Sequence, residues 1–183
     1  MTGVQTCALP IFKDASGCTA TQALTINEPT LLVAGASAGT ILCNGGTTTI
    51  TASGSGGTPG YTYSTNGTVF QPGTTFSGAG AGSYTITVKD ASGCTASQAL
   101  TISEPTLLVA GASAGTILCN GGTTTITASG SGGTPGYTYS TNGTVFQPSA
   151  LFSGAGAGSY TITVKDASGC TATQALKIGR AHV

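Results

Sequence analysis

From Ser83 to Val88 apolar and hydroxyl residues alternate without a slip. Tyr84, Ile86 and Val88 fall on one face, Thr85 and Thr87 on the other. A period of two is that of an extended strand buried on one side. Asp90-Ala91-Ser92-Gly93 breaks the pattern as a hairpin turn, with Gly93 free to take a positive φ. Cys94 onward reads as the returning strand, with Ala96, Leu100 and Ile102 on one face, and Glu104-Pro105 ends it. Earlier in the chain, residues 31–36 predict a first strand, and residues 47–53 a second with Ile50 and Ala52 inward. Residues 54–60 form a Gly/Pro loop, and Tyr61-Thr62-Tyr63 is a third strand with both rings on one face. Asn66-Gly67 marks a turn before Val69-Phe70, a weaker strand surrounds Phe76, and Gly78-Ala79-Gly80-Ala81-Gly82 is a tight connection. No segment has helical periodicity. Seven or so short strands at regular spacing predict an all-β fold, an immunoglobulin-like β-sandwich.

The whole pattern then recurs. Lys13-Asp14-Ala15-Ser16-Gly17-Cys18 returns at Lys89 to Cys94 and at Lys165 to Cys170, so the period is 89 − 13 = 165 − 89 = 76. Cys43-Asn44-Gly45-Gly46 returns at Cys119 to Gly122. A repeat this long is a small domain in tandem, and arrays serve reach or multivalent contact more often than chemistry. The expected organisation is a C-terminal fragment of one repeat over 13–29, a complete repeat over 30–105, and a truncated second repeat over 106–176. Glu104-Pro105 followed at once by Leu107-Leu108-Val109 is a short, proline-containing linker, which favours a semi-rigid array. Residues 31–88 and 107–164 differ only at Gly73/Ser149, Thr74/Ala150 and Thr75/Leu151, and neighbours this alike risk swapping strands as they fold.

The register fails at both ends. Ile11 and Phe12 stand where the repeat has Thr87 and Val88, and Lys177 stands where it has Thr25 and Thr101. The string TGVQTCALPI from Thr2 to Ile11 resembles a translated sequencing adapter, and IGRAHV from Ile178 to Val183 resembles the reverse complement of one. Residues 1–12 and 177–183 are therefore expected to be foreign tails. Met1, Cys7, Arg180 and His182 lie in them, so the repeat itself has no Met, Arg, His or Trp.

That absence narrows the chemistry. Formal net charge is +0, and each full period carries only Lys89, Asp90 and Glu104 or their equivalents. With no basic patch a nucleic acid is not an expected partner, and no apolar run approaches the roughly 18 residues of a membrane span. A unit of about 75 residues buries only about 60% of its unfolded surface and is marginal without a staple. Abundant glycine raises the prospect of disorder, but strands alternating with turn signals argue against it. A catalytic triad lacks its base, and Lys89 and Lys165 sit in strands flanking a hairpin, so the chain is not expected to be an enzyme. No cofactor or metal is expected: cysteines at spacings of 25 and 51 make poor zinc geometry, and Asp90 reads as a turn cap rather than a cation ligand.

Two groups of residues remain as candidates. Cys18, Cys43, Cys94, Cys119 and Cys170 occur at two per period, which suggests disulfides and an oxidising compartment. The simplest pairing is within the repeat, Cys43 with Cys94 and Cys119 with Cys170, leaving Cys18 unpaired by truncation. In a sandwich roughly 20–25 Å tall those turns lie at opposite ends, whereas a disulfide needs Cα atoms within about 7 Å. Cys43 with Cys170, across repeats, is the alternative, and free buried thiols the third. The second group is Tyr61, Tyr63 and Phe70, with Tyr137, Tyr139 and Phe146 one period on: an aromatic platform for a glycan, or largely core. Thr47-Thr48-Thr49 and Thr51 read as solvated strand polarity.

Three motifs together resemble the SprB repeat, a cell-surface adhesin module of Bacteroidetes-type bacteria. They are Cys43-Asn44-Gly45, then Gly56-Gly57-Thr58-Pro59-Gly60-Tyr61-Thr62-Tyr63, then Ala81-Gly82-Ser83-Tyr84 through Val88, Asp90, Gly93 and Cys94. Gly60, inserted between Pro59 and Tyr61, departs from the pattern, and Thr65 lies where an aromatic often follows the second Tyr; an altered core around the third strand is the expected consequence. The resemblance implies a secreted, surface-displayed repeat, exported in that family by a gliding or type IX route, with no catalysis. The expected function is a structural and adhesive array contacting a surface polysaccharide or other cell-surface ligand, packed on neighbouring repeats of the same chain. The alternative is that each repeat is itself a glycan-binding module.

Overall fold

The structure, a computed structural model, describes residues 11–22 and 26–180. Residues 1–10 and 181–183 of the expected tails, with Met1, Cys7 and His182, lie outside the described residues, as do residues 23–25 of the 13–29 fragment. Among the described residues the chain is all-β, with several small antiparallel sheets and no helix.

The chain divides into two compact units. Of the described residues, the first takes in 11–22, 26–38, 49–77 and 83–101, and the second 39–48, 78–82 and 102–180. In the first, β1 (Ile11–Lys13) and β2 (Thr19–Thr21) form a hairpin, Phe12 opposite Ala20. Ile11 and Phe12 are each 67% exposed, so backbone pairing rather than burial holds them. Then come β3 (Val33–Ala38), β4 (Thr48–Ser55), β5 (Thr62–Ser64), β6 (Thr75–Ala79), β7 (Gly82–Lys89) and β8 (Thr95–Ile102). They form two sheets, in order β3-β4-β6 and β5-β7-β8. Ile50, Ile86 and Val88 are completely buried, on the faces that alternation assigns to them.

The remaining strands are β9 (Val109–Ala114), β10 (Thr124–Ser131), β11 (Thr138–Ser140), β12 (Leu151–Ala155), β13 (Gly158–Lys165) and β14 (Thr171–Ile178). They too form two sheets, β12-β10-β9 and β11-β13-β14. In the second unit both sheets feed one buried cluster: Ile126, Ala128 and Ala155 from the first, Ile162 and Ile178 from the second, with Ile117 between strands. Leu108, Ala110 and Val164 make a smaller cluster. Ile178, in the expected tail, is buried as the last residue of β14 opposite Gly158.

Several expectations shift by a residue or two. The first strand starts at Val33 rather than 31, because its ladder with the second strand begins at Val33, opposite Ser55. The second strand runs two residues past 53, through Gly54 and Ser55, so the Gly/Pro loop begins only at Gly56. Each set has six strands rather than seven or so. The seventh is reduced to a single bridge, Tyr63 with Gln71 and Tyr139 with Gln147, since the turn after Tyr63 is a wide loop rather than a two-residue hairpin. That loop is built on a buried hydroxyl. Ser64 Oγ donates to Asn66 Oδ1 (2.9 Å) and accepts the amide of Gly67 (2.9 Å), while Asn66 Oδ1 accepts the amides of Thr68 and Val69. The hairpin at Asp90–Gly93 forms as expected, with Gly93 at φ 87.

Candidate functional site: a cysteine junction and two aromatic groups

Each hairpin cysteine is held by the aspartate four residues before it. Asp166 Oδ1 accepts the amides of Ser168 (3.0 Å) and Cys170 (2.9 Å), and Oδ2 accepts the amide of Thr134 (2.9 Å). Asp90 does the same with Cys94 (2.8 Å) and Thr58 (2.9 Å). Both aspartates are nearly inaccessible, at 5% and 4% exposure. A carboxylate buried among amides keeps its charge, because each N–H favours the ionised form. The Thr58 amide is the main cause holding Asp90 below its ordinary value; desolvation opposes it, and the Cys94, Ser92 and Gly93 amides assist it. Asp166 is lowered in the same way, chiefly by Thr134. Gly57 makes room for this carboxylate: it sits at φ +58, and a Cβ there would lie 2.5 Å from Asp90 Oδ2. Asp90 is thus a turn cap that also ties the hairpin to the Gly/Pro loop.

The other half of the site is the loop before β4. The amide of Gly46 donates to Cys43 O (2.9 Å), which turns the chain and presents Asn44 and Gly45. Asn44 Nδ2 donates to Glu104 Oε1 (3.1 Å) and to Pro105 O (3.0 Å), and the Gly45 amide donates to Glu104 Oε2 (2.6 Å). Beside this clamp Cys43 and Cys170 form a disulfide, with Cα atoms 5.7 Å apart. All of these residues belong to the second compact unit. In the chain-entropy picture, cross-linking positions 127 residues apart stabilises by about 5 kcal/mol.

Of the pairings the sequence leaves open, the structure holds the one that crosses the repeat. The within-repeat pairs, Cys43 with Cys94 and Cys119 with Cys170, do not form. Cys94, Cys119 and Cys18 are free and exposed, not buried thiols. The sequence marks Cys-Asn-Gly-Gly only as a repeat signature. That Asn44 and the Gly45 amide clasp Glu104 is not legible in it, although its return at Asn120 and Gly121 is the signal that a role attaches to those positions.

The candidate aromatics do not form one open platform. Tyr63 is buried at 6% exposure. Tyr139 packs against both buried clusters of its unit and Tyr137 against the smaller. Tyr61 and Tyr137 are half-buried, and their hydroxyls donate inward to Gly56 O and Gly132 O at 2.7 Å. Lys89 Nζ lies 4.4 Å from the centre of the Phe70 ring, and Lys165 Nζ 4.1 Å from that of Phe146, within cation–π range. Among the described residues no group of three or more His, Cys, Asp or Glu gathers to hold a metal.

No family model matches the chain, and no curated protein matches it.

Proposed function

We propose that the chain is a piece of a tandem array of immunoglobulin-like β-sandwich repeats, secreted and displayed at a bacterial cell surface, with a structural and adhesive rather than catalytic role. The cysteine junction is the observation that carries the reading. A loop of one sequence period, Cys43-Asn44-Gly45, is joined both to the linker that closes that period, Glu104-Pro105, and to the next period's hairpin at Cys170. Such a contact serves a chain whose periods act together. Further support comes from the strand sets, whose members begin one period apart, as Val33 and Val109 do (109 − 33 = 76). A disulfide is compatible with an oxidising, extracellular setting. The SprB-like motifs point the same way.

The adhesive part of the reading predicts weak sites made useful by number. Beads coated densely with the chain would retain surface polysaccharide, while the soluble chain at the same total concentration would show no measurable binding. Tight binding by the soluble chain, lost on Tyr61→Ala, would replace this reading with that of a dedicated glycan-binding module. Consumption of the polysaccharide would replace it with that of an enzyme.

A further inference from the structure

Among the described residues the junction is satisfied once, and a second copy of each of its halves is left over. Cys119-Asn120-Gly121-Gly122 reproduces the loop of Cys43-Asn44-Gly45-Gly46, with the Gly122 amide donating to Cys119 O at 3.0 Å against 2.9 Å in the joined copy. Gly121 has φ 76 where Gly45 has 75. Among the described residues the joined loop has its partner, and this one does not. Cys119 is a free, exposed thiol, and among the described residues Asn120 Nδ2 and the Gly121 amide have no acceptor. The position one period after Glu104 holds Arg180 (104 + 76 = 180), which lines the same groove as Cys119, Asn120 and Gly122. A guanidinium has no acceptor to offer those donors. The complementary half is present too. Glu28 and Pro29 are exposed, and Cys94 is a free, exposed thiol on a hairpin held as Cys170 is.

We infer that the Cys119-Asn120-Gly121 loop is a docking site for a further copy of this chain's own repeat: it clasps the glutamate of the linker that leads into that copy and then bonds covalently to the copy's hairpin cysteine. The inference rests on the tandem reading and extends it. Each repeat is stapled to the next, so the array is one covalent ladder of disulfides superimposed on the main chain. The occupant is fixed by the junction already formed. It must carry a carboxylate to accept from Asn120 Nδ2 and Gly121 N, and a thiol on an aspartate-capped hairpin, as Glu104 and Cys170 do for the first loop.

The chemistry is thiol–disulfide exchange with an external disulfide as oxidant. The Cys119 thiolate attacks one sulfur of oxidised glutathione and releases one glutathione thiolate. The hairpin thiolate of the docked copy then attacks the Cys119 sulfur and releases the second. One glutathione disulfide is reduced for each protein disulfide made, and the two protons lost by the cysteines end on the two released thiols.

The test extends the full chain after Ile178 with a further copy of residues 103–178, so that a glutamate replaces Arg180, and folds it in a glutathione redox buffer. The expected result is loss of Cys119 alkylation, which the unextended chain retains, and a mapped disulfide from Cys119 to the added copy's hairpin cysteine. An added copy that is folded by circular dichroism and protease resistance, yet leaves Cys119 alkylated, overturns the inference and leaves the tandem reading standing. So does a bond from Cys119 to Cys170 in place of Cys43 to Cys170. An added copy that stays unfolded overturns both.

Discussion

Cys43 and Cys170 are 127 positions apart in the chain and 5.7 Å apart at Cα. Nothing between them is a simple loop: the intervening chain includes β4 to β13. The bond therefore closes a circuit through all but the first strand of one set, β3, and the last strand of the other, β14. It does so at a site where Asn44 and Gly45 already clasp Glu104 and Pro105. Hydrogen bonds at an exposed site contribute modestly on their own, so the covalent bond supplies most of the junction's stability.

Removal of that bond is the largest single loss expected. Cys43→Ser or Cys170→Ser lowers the stability of the second unit by up to about 5 kcal/mol, read as a shift in the urea midpoint. The double variant falls no further than either single one, because both remove the same bond. Cys94→Ser leaves the midpoint where it is, since that thiol is free and exposed.

The buried isoleucines carry the core. Ile162 has 0% exposure and lies in the cluster shared by both sheets of its unit. Ile162→Ala costs roughly 2–5 kcal/mol and Ile162→Val about 0.5–1.5 kcal/mol, measured by denaturant unfolding.

Acid should loosen the hairpins. Asp90 and Asp166 both have carboxyls lowered from the usual 3.8. A lowered native value means that the unfolded chain binds the proton more tightly. The stabilisation is complete above pH 3.8 and disappears as pH falls from there through the native value. Melting temperature measured from pH 6 down to about 2 should be flat and then fall. Replacing both with Asn should flatten the acid limb.

Gly57 and Gly133 tolerate no side chain. Each sits at φ +58, and an added Cβ would crowd Asp90 Oδ2 or Asp166 Oδ2. Gly57→Ala should cost more than about 1 kcal/mol and weaken the bond from the Thr58 amide to Asp90, seen as faster exchange of that amide. Gly73→Ala, where φ is not positive and only the Gln71 side chain is near, is the control that should cost little.

The strands were readable wherever alternation was strict. Ser83 to Val88 places Ile86 and Val88 fully inside, and Thr48 to Ser55 does the same for Ile50 and Ala52. Gly93 at a positive φ was readable from its place in the turn. Legibility failed where a side chain replaced the backbone as organiser. Ser64 is a small polar residue with 0% exposure, and only the folded loop shows that its hydroxyl holds Asn66 and Gly67. The same holds for the junction. The spacing of the cysteines admitted two pairings, and which one forms depends on where Gly39–Thr48 lies in three dimensions, with the second unit. The aromatic candidates divided for a like reason: period two puts Tyr61 and Tyr63 on one face, but Tyr61 precedes the strand that begins at Thr62 and turns its hydroxyl to Gly56 O.

Trypsin gives the most direct test of the junction. Cleavage after Lys13, Lys89, Lys165 and Lys177 places Cys43 in peptide 14–89, Cys94 and Cys119 together in 90–165, and Cys170 in 166–177. With Cys18→Ser, Cys43 is the only cysteine in its peptide. Digestion of the oxidised, alkylated chain without reduction should yield 14–89 bonded to 166–177, with 90–165 carrying two alkyl groups. Peptide 90–165 bonded to either neighbour, as the within-repeat pairs require, would contradict the account.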